Sequence, residues 1–173
     1  LLRAVYGALP RTRGSICVEG KICENRDPRE AIKNGFFMVS EDRKHDGYVG
    51  TMTIRENMTL SIMDKISKHT FIQKKEEKEV VHKFFEYLKI KAPSSETSIT
   101  SLSGGNQQKV IISRALATDM KVLFLDEPTR GIDVGAKAEI YKIINELAEK
   151  GLSIVVISSE MPELISLCDR FVV

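Results

Sequence analysis

The sequence predicts an α/β domain interrupted by a helical segment, and three observations carry that prediction. From Lys121 onward, short apolar runs alternate with helical stretches at the spacing of parallel strands joined by crossovers. Between Thr53 and about Leu88 the apolar residues recur instead at helical period. Near Gly14–Cys23 two short apolar stretches flank Gly20, which reads as a small antiparallel hairpin.

Each element has a local reason. Leu1 to Leu9 reads as the tail of a helix stopped by Pro10. Ile16 and Val18 alternate with small or polar neighbours and turn at Gly20 toward Ile22–Cys23. Pro28 suits the first turn of a short helix to Lys33, which Asn34-Gly35 ends. Phe36–Val39 is a buried strand candidate, and the charged run Glu41–Asp46 before Gly47 reads as a surface loop. In the helical segment, Val80, Val81, Phe84, Phe85 and Leu88 define one face, while Gln73–Glu79 reads as solvated, with charges paired along the helix. The polar stretch Lys91–Thr100 reads as a linker, and Ser103 opens a helix to about Ala117. Then follow a strand at Lys121–Leu125, a helix at Gly135–Lys150, a strand at Ser153–Ile157, a helix at Pro162–Cys168 and the start of a strand at Phe171–Val173. The long helix carries Ile140, Ile143, Ile144, Leu147 and Ala148 on one stripe, and Gly151 stops it.

Composition excludes several classes. The 173 residues are 42% hydrophobic and 29% charged, a globular rather than a disordered balance, and enough chain to bury a core. The net charge of +2 gives no sign of a nucleic-acid footprint. The longest apolar runs, such as Val122–Leu125 and Ile154–Ile157, fall far short of a membrane span. Three cysteines without a C-x-x-C pair argue against a disulfide framework or zinc site and fit a reducing cytosolic setting. The start at Leu1-Leu2-Arg3, with neither Met nor a signal pattern, reads as an excised piece. His45, His69 and His82 sit in or beside charged stretches, where a solvated role is expected.

Two strings carry chemistry. In KVLFLDEPTRGID an apolar strand delivers Asp126 and Glu127 at its C-terminal end, the edge where open α/β sheets bind ligands. An aspartate there can hold Mg²⁺, and a neighbouring glutamate can orient and deprotonate a water. The alternative is a plain strand end turning at Pro128. In LSGGNQQK, Ser103 precedes Gly104 and Gly105, a helix start at which a phosphate could approach the backbone N–H groups. The alternative is an ordinary N-cap.

Together, LSGGNQQK and LFLDEPTRGID resemble the signature motif and the Walker B segment with D-loop of ABC-type ATPases. Thr53-Ile54-Arg55-Glu56-Asn57 resembles the start of their helical subdomain. With FMVSEDRKHDG and DEPTRGIDVGAK, nearly the whole chain is similar to the second, C-terminal cassette of the double-cassette sugar importers of ribose, galactose, arabinose or xylose type. The resemblance implies a P-loop NTPase (RecA-like) core at residues 1–41 and 114–173, a helical subdomain at about 42–113, and the small hairpin. No Gly-rich turn ending in Lys is present, so the Walker A loop is expected upstream of Leu1.

The resemblance also implies roles. Ser103, Gly104 and Gly105 would serve ATP held by a second cassette, with Asn106 and Gln107 nearby. Asp126 would hold Mg²⁺, Glu127 would be the general base, and Asp133 would communicate across the cassette pair, besides being a turn residue before the next helix. Three positions depart from the common pattern. Asn106 replaces Gln, Glu41 falls at the Q-loop position as a candidate metal contact, and Ser159 stands at the switch position where His is usual. The implied function is ATP hydrolysis coupled to sugar uptake through membrane permease subunits, with a sugar-binding protein involved indirectly. The protein would sit peripherally at the cytoplasmic face of the membrane, with Glu41–Gly47 near the permease. Two rivals use the same motifs: a non-transport ABC ATPase acting on ribosomes or DNA, and a catalytically weak regulatory nucleotide-binding module.

Overall fold

The computed structural model describes residues 1–172. The chain opens with α1 (Leu2–Val5), shorter than expected. Gly7, at φ 78°, turns the chain three residues before Pro10, and a Cβ there would lie 2.5 Å from the Asn25 carbonyl oxygen. The Asn25 amide in turn donates to the Val5 carbonyl at 2.9 Å, satisfying an open helix end. The hairpin follows as β1 (Ile16–Val18) and β2 (Lys21–Cys23), turned by Glu19 and Gly20, both at positive φ. Asp27 caps α2 (Pro28–Lys33) by accepting from the Glu30 N–H. β3 (Phe36–Val39) leads to Glu41.

The charged run beyond β3 is more ordered than a loop. Arg43–Gly47 forms a π-helical turn, started by the Asp42 carboxylate, which accepts from Lys44 N–H and His45 N–H. The helical stretch is likewise broken into shorter pieces. Thr53 and Glu56 form a reciprocal capping box on α3 (Ile54–Thr59). A 3₁₀ turn at Leu60–Ile62 leads to α4 (Met63–Ile66). A second small hairpin, β4 (Ser67–Lys68) with β5 (Phe71–Ile72), precedes α5 (Lys74–Tyr87). On α5, Val81 and Phe84 are buried as the periodicity requires. The face read as solvated is interrupted by Glu77, which is buried and accepts from Arg55 at 2.9 Å and Thr59 at 3.2 Å.

A 3₁₀ turn at Ile99–Ser101 leads to α6 (Gly104–Leu116). After it come β6 (Val122–Asp126), α7 (Val134–Glu149), β7 (Ser153–Ile157) and α8 (Met161–Leu167). On α7, Ile140, Ile143, Ile144 and Leu147 are buried, whereas Ala148, expected on that stripe, is exposed. No strand forms over Phe171–Val172, and Val173 lies outside the described residues.

The main sheet is parallel, in the order β3-β6-β7. Phe36 pairs with Val122 and Val39 with Leu125; Val122 pairs with Ser153 and Asp126 with Ile157. Because side chains alternate across a strand, the sheet splits its apolar residues between two clusters. Phe37, Val39, Leu123 and Leu125 join α3, α5, α6 and α7 in the larger one. Phe36 and Phe124 join Leu2, Ile16 and Ala31 in the smaller one. The parallel order places the C-terminal ends of all three strands on one edge, with Asp126 at the end of the middle strand.

Candidate functional site

That edge brings together four of the residues the sequence singled out. Asp126 ends β6, Glu127 follows it, Glu41 lies two residues beyond β3 and Ser159 two residues beyond β7. Glu127 stands at φ 48°, in the left-handed region that a non-glycine residue adopts at a cost of about 1–3 kcal/mol. Surrounding bonds hold it there. Its N–H donates to the Ile157 carbonyl at 2.8 Å, and its carbonyl accepts from the Arg130 N–H at 3.2 Å. Its carboxylate accepts from the Ser159 N–H at 2.6 Å. Glu127 and Ser159 are therefore in contact, but through the serine's backbone, a donor that residue type does not encode.

The half-buried Asp126 carboxylate has no ion-pair partner and no side-chain hydrogen bond among the described residues. No cluster of three or more His, Cys, Asp or Glu able to hold a metal occurs among them either. A hard cation at Asp126 would draw most of its oxygen ligands from water and a substrate, which is the usual way Mg²⁺ is bound beside phosphates. The donor set fits that ion. Glu41, the other expected metal contact, is directed elsewhere, since its carboxylate pairs with the Arg130 guanidinium.

The second group lies at the start of α6. Ser103 occupies the N-cap position, but its hydroxyl makes no capping bond; it accepts from the Asn106 amide at 3.0 Å. The Asn106 oxygen accepts from the Lys91 N–H at 2.8 Å. The first intrahelical bond runs from the Gln107 N–H to the Ser103 carbonyl. The N–H groups of Gly104, Gly105 and Asn106 have no acceptor among the described residues, so this helix start fits an anion. The glycines have a further reason to be small. A Cβ on Gly105 would lie 2.5 Å from the Ala136 Cβ, and one on Gly104 would lie 3.2 Å from Arg43 Nη2. Gln107, expected beside a nucleotide, instead faces the interior, where its amide donates to the Ile99 carbonyl at 3.3 Å.

Residues 127–136 link the two groups. Asp133 caps α7 by accepting from the Ala136 N–H at 3.0 Å, the turn role expected for it. Arg43 lies between the groups, its Nη1 donating to the Arg130 carbonyl at 3.4 Å. Its Nε is buried without a partner, and burial pushes its pKa below the usual arginine value. In the sequence Arg43 reads as one charge of the exposed run Glu41–Gly47 expected near a permease, and nothing there marks its approach to Gly104 and Arg130.

The contacts of two buried ionisable residues also have no counterpart in the sequence reading. Lys109, one turn along α6 from Gly105, is buried and donates to Glu139 on α7 at 2.7 Å. Glu163 on α8 is buried and accepts from the Thr129 hydroxyl at 2.7 Å. Beside that pair, burial is the main cause holding the Tyr141 phenol above its usual pKa.

Comparison with known proteins places this arrangement. The family model described as "ABC transporter" matches residues 1–130. Ribose import ATP-binding protein RbsA of Geobacillus kaustophilus (strain HTA426) is 44% identical over all 173 residues. The chain spans 35% of that relative's length. Among solved structures, a nucleotide-free ATP-binding cassette from an ABC transporter superposes with a TM-score of 0.79 at 25% identity, covering 97% of this chain and 68% of that one. A dimeric ATP-binding cassette in a post-hydrolysis state, bound to ADP and Pi, gives 0.75 at 22% identity, covering 94% and 69%, a likeness of fold alone.

Proposed function

Because the chain belongs to the ABC transporter family, we propose that it is part of the ATP-hydrolysing subunit of a sugar importer, from the second cassette of a double-cassette protein. One observation carries the reading. A carboxylate pair ends the central strand of a chain 44% identical, over its full length, to a ribose import ATP-binding protein. In this reading the chain divides into a core at 1–41 and 114–173 and a helical subdomain at about 42–113. The protein works peripherally at the cytoplasmic face of the membrane, against permease subunits served by a sugar-binding protein. No helix among the described residues is long and apolar enough to cross a membrane.

Mg·ATP would supply the transferable phosphoryl group and the cation that offsets its developing charge. Asp126 would hold the cation. Glu127, with one carboxylate oxygen on the Ser159 N–H, keeps the other for the attacking water and would take its proton. Ser103, with the open N–H groups of Gly104 and Gly105, would receive the phosphate of ATP bound by a second cassette. Asn106 would act beside them, and Asp133 would carry the contact between cassettes. Two features favour a slower, regulatory site as the second reading. Glu41 is tied to Arg130, and Ser159 offers no imidazole.

Full-length protein reconstituted with its permease is expected to show ATP-dependent uptake of a labelled pentose or hexose. Absence of uptake for ribose, galactose, arabinose and xylose alike would overturn the transport reading. The 173-residue chain alone, with no Gly-rich turn ending in Lys, is expected to bind ATP weakly and show no turnover above a blank. Turnover by the purified chain that disappears in Glu127→Gln would contradict this.

The run Glu41–Gly47 is the proposed permease contact, and the structure separates its two cations. Arg43 is wedged against Gly104 and Arg130, whereas Lys44 is exposed. Lys44→Glu is therefore the cleaner test. Uptake should fall while ATPase activity persists, with stability changing by about 0–1 kcal/mol. Unchanged uptake would make this turn an ordinary solvated surface.

A further inference from the structure

Thr129 and Glu163 are 1% and 2% exposed, and no step described above uses them. Their bond joins positions 34 residues apart, linking the turn after β6 to the first turn of α8. Glu127 lies two residues before Thr129, and Ser159 lies four before Glu163. The two bonds that Glu127 makes to the other segment, to the Ile157 carbonyl and from the Ser159 N–H, fall on the end of β7 and the residues just after it. A backbone in the left-handed region persists only where its surroundings over-determine it. The buried Thr129–Glu163 bond closes the free end of that arrangement, making 127–129 and 157–163 one clasped unit. Outside it, Lys137 on α7 donates to both Glu160 oxygens, at 2.7 and 2.8 Å, and steadies the same stretch.

We propose that Glu163 is a positioning residue that acts through Thr129 to hold the Glu127 carboxylate on the Ser159 N–H, with its second oxygen turned to the attacking water. The proposal rests on the reading of Glu127 as general base. Glu163 does not touch substrate; it fixes the segment that carries the base.

The test uses full-length protein and the part of its ATP turnover that Glu127→Gln abolishes. Thr129→Val keeps shape and burial but removes the donor, and Glu163→Leu removes the acceptor. Each should lower kcat about tenfold or more while KM for ATP stays within about twofold. The double variant should be no slower than the worse single one, because both remove one bond. Glu163→Gln retains an acceptor and Thr129→Ser a donor, so both should stay within about threefold of wild type. If Glu163→Leu does not fold, Thr129→Val with Thr129→Ser decides alone. The proposal is overturned if Thr129→Val turns over at the wild-type rate, if the two losses add, or if kcat falls only in step with folded protein. Wild-type protein with no turnover sensitive to Glu127→Gln would instead defeat the underlying assignment of the base.

Discussion

Glu127→Gln in the full-length protein should lower ATP turnover at this cassette by roughly 100- to 10,000-fold, the usual contribution of a general base. At about 1.36 kcal/mol per tenfold, that is about 3–5 kcal/mol of transition-state stabilisation. The substitution isolates proton transfer because little else should change. The introduced amide keeps an oxygen able to accept the Ser159 N–H, and the backbone bonds to the Ile157 carbonyl and from the Arg130 N–H do not involve the side chain. Asp126 is untouched, so nucleotide binding should survive. The measurement is steady-state turnover alongside ATP affinity on the same preparation. A rate within about tenfold of wild type would remove Glu127 from the base role and leave it as a strained strand end.

Ser103→Arg should have the second largest effect. Ser103 is exposed and its one side-chain bond is to Asn106, so the fold and melting temperature should hardly change. The new side chain would cover the N–H groups of Gly104, Gly105 and Asn106, whose value to a phosphate lies in being uncovered. Displacing a reacting group by about 1 Å costs on the order of 100-fold in rate. Turnover and sugar uptake should therefore both fall at least that far. Wild-type uptake by a folded Ser103→Arg protein would show that this helix start does not meet a phosphate.

The main strands are legible in the sequence because their apolar runs are short, bounded and placed between longer helical stretches. Glu127 is legible because it follows such a run beside a second carboxylate. The hairpin of β4 and β5 is not. Its turn is made by His69 and Thr70, both at positive φ, where no Gly, Asn or Asp marks a reversal. Buried charges are hidden for another reason. Glu77, Lys109 and Glu163 look like solvated residues because each is compensated by a partner 18 or more positions away. Local pattern carries no record of that partner. Asn106 is visible as a departure from Gln, but its link to the Lys91 N–H depends on a backbone donor, which no residue type announces.

The close approach of Gly105 to Ala136 has a mechanical consequence. With no Cβ on one side, α6 and α7 meet almost backbone to backbone at their N-terminal ends, and one turn further along both helices the buried Lys109 grips Glu139. Sliding one helix past the other would strip the buried Lys109 ammonium of its carboxylate and leave it the Lys89 carbonyl as acceptor. Gly105→Ala would therefore have to part α6 from α7 at this end, since its Cβ would meet the Ala136 Cβ at 2.5 Å.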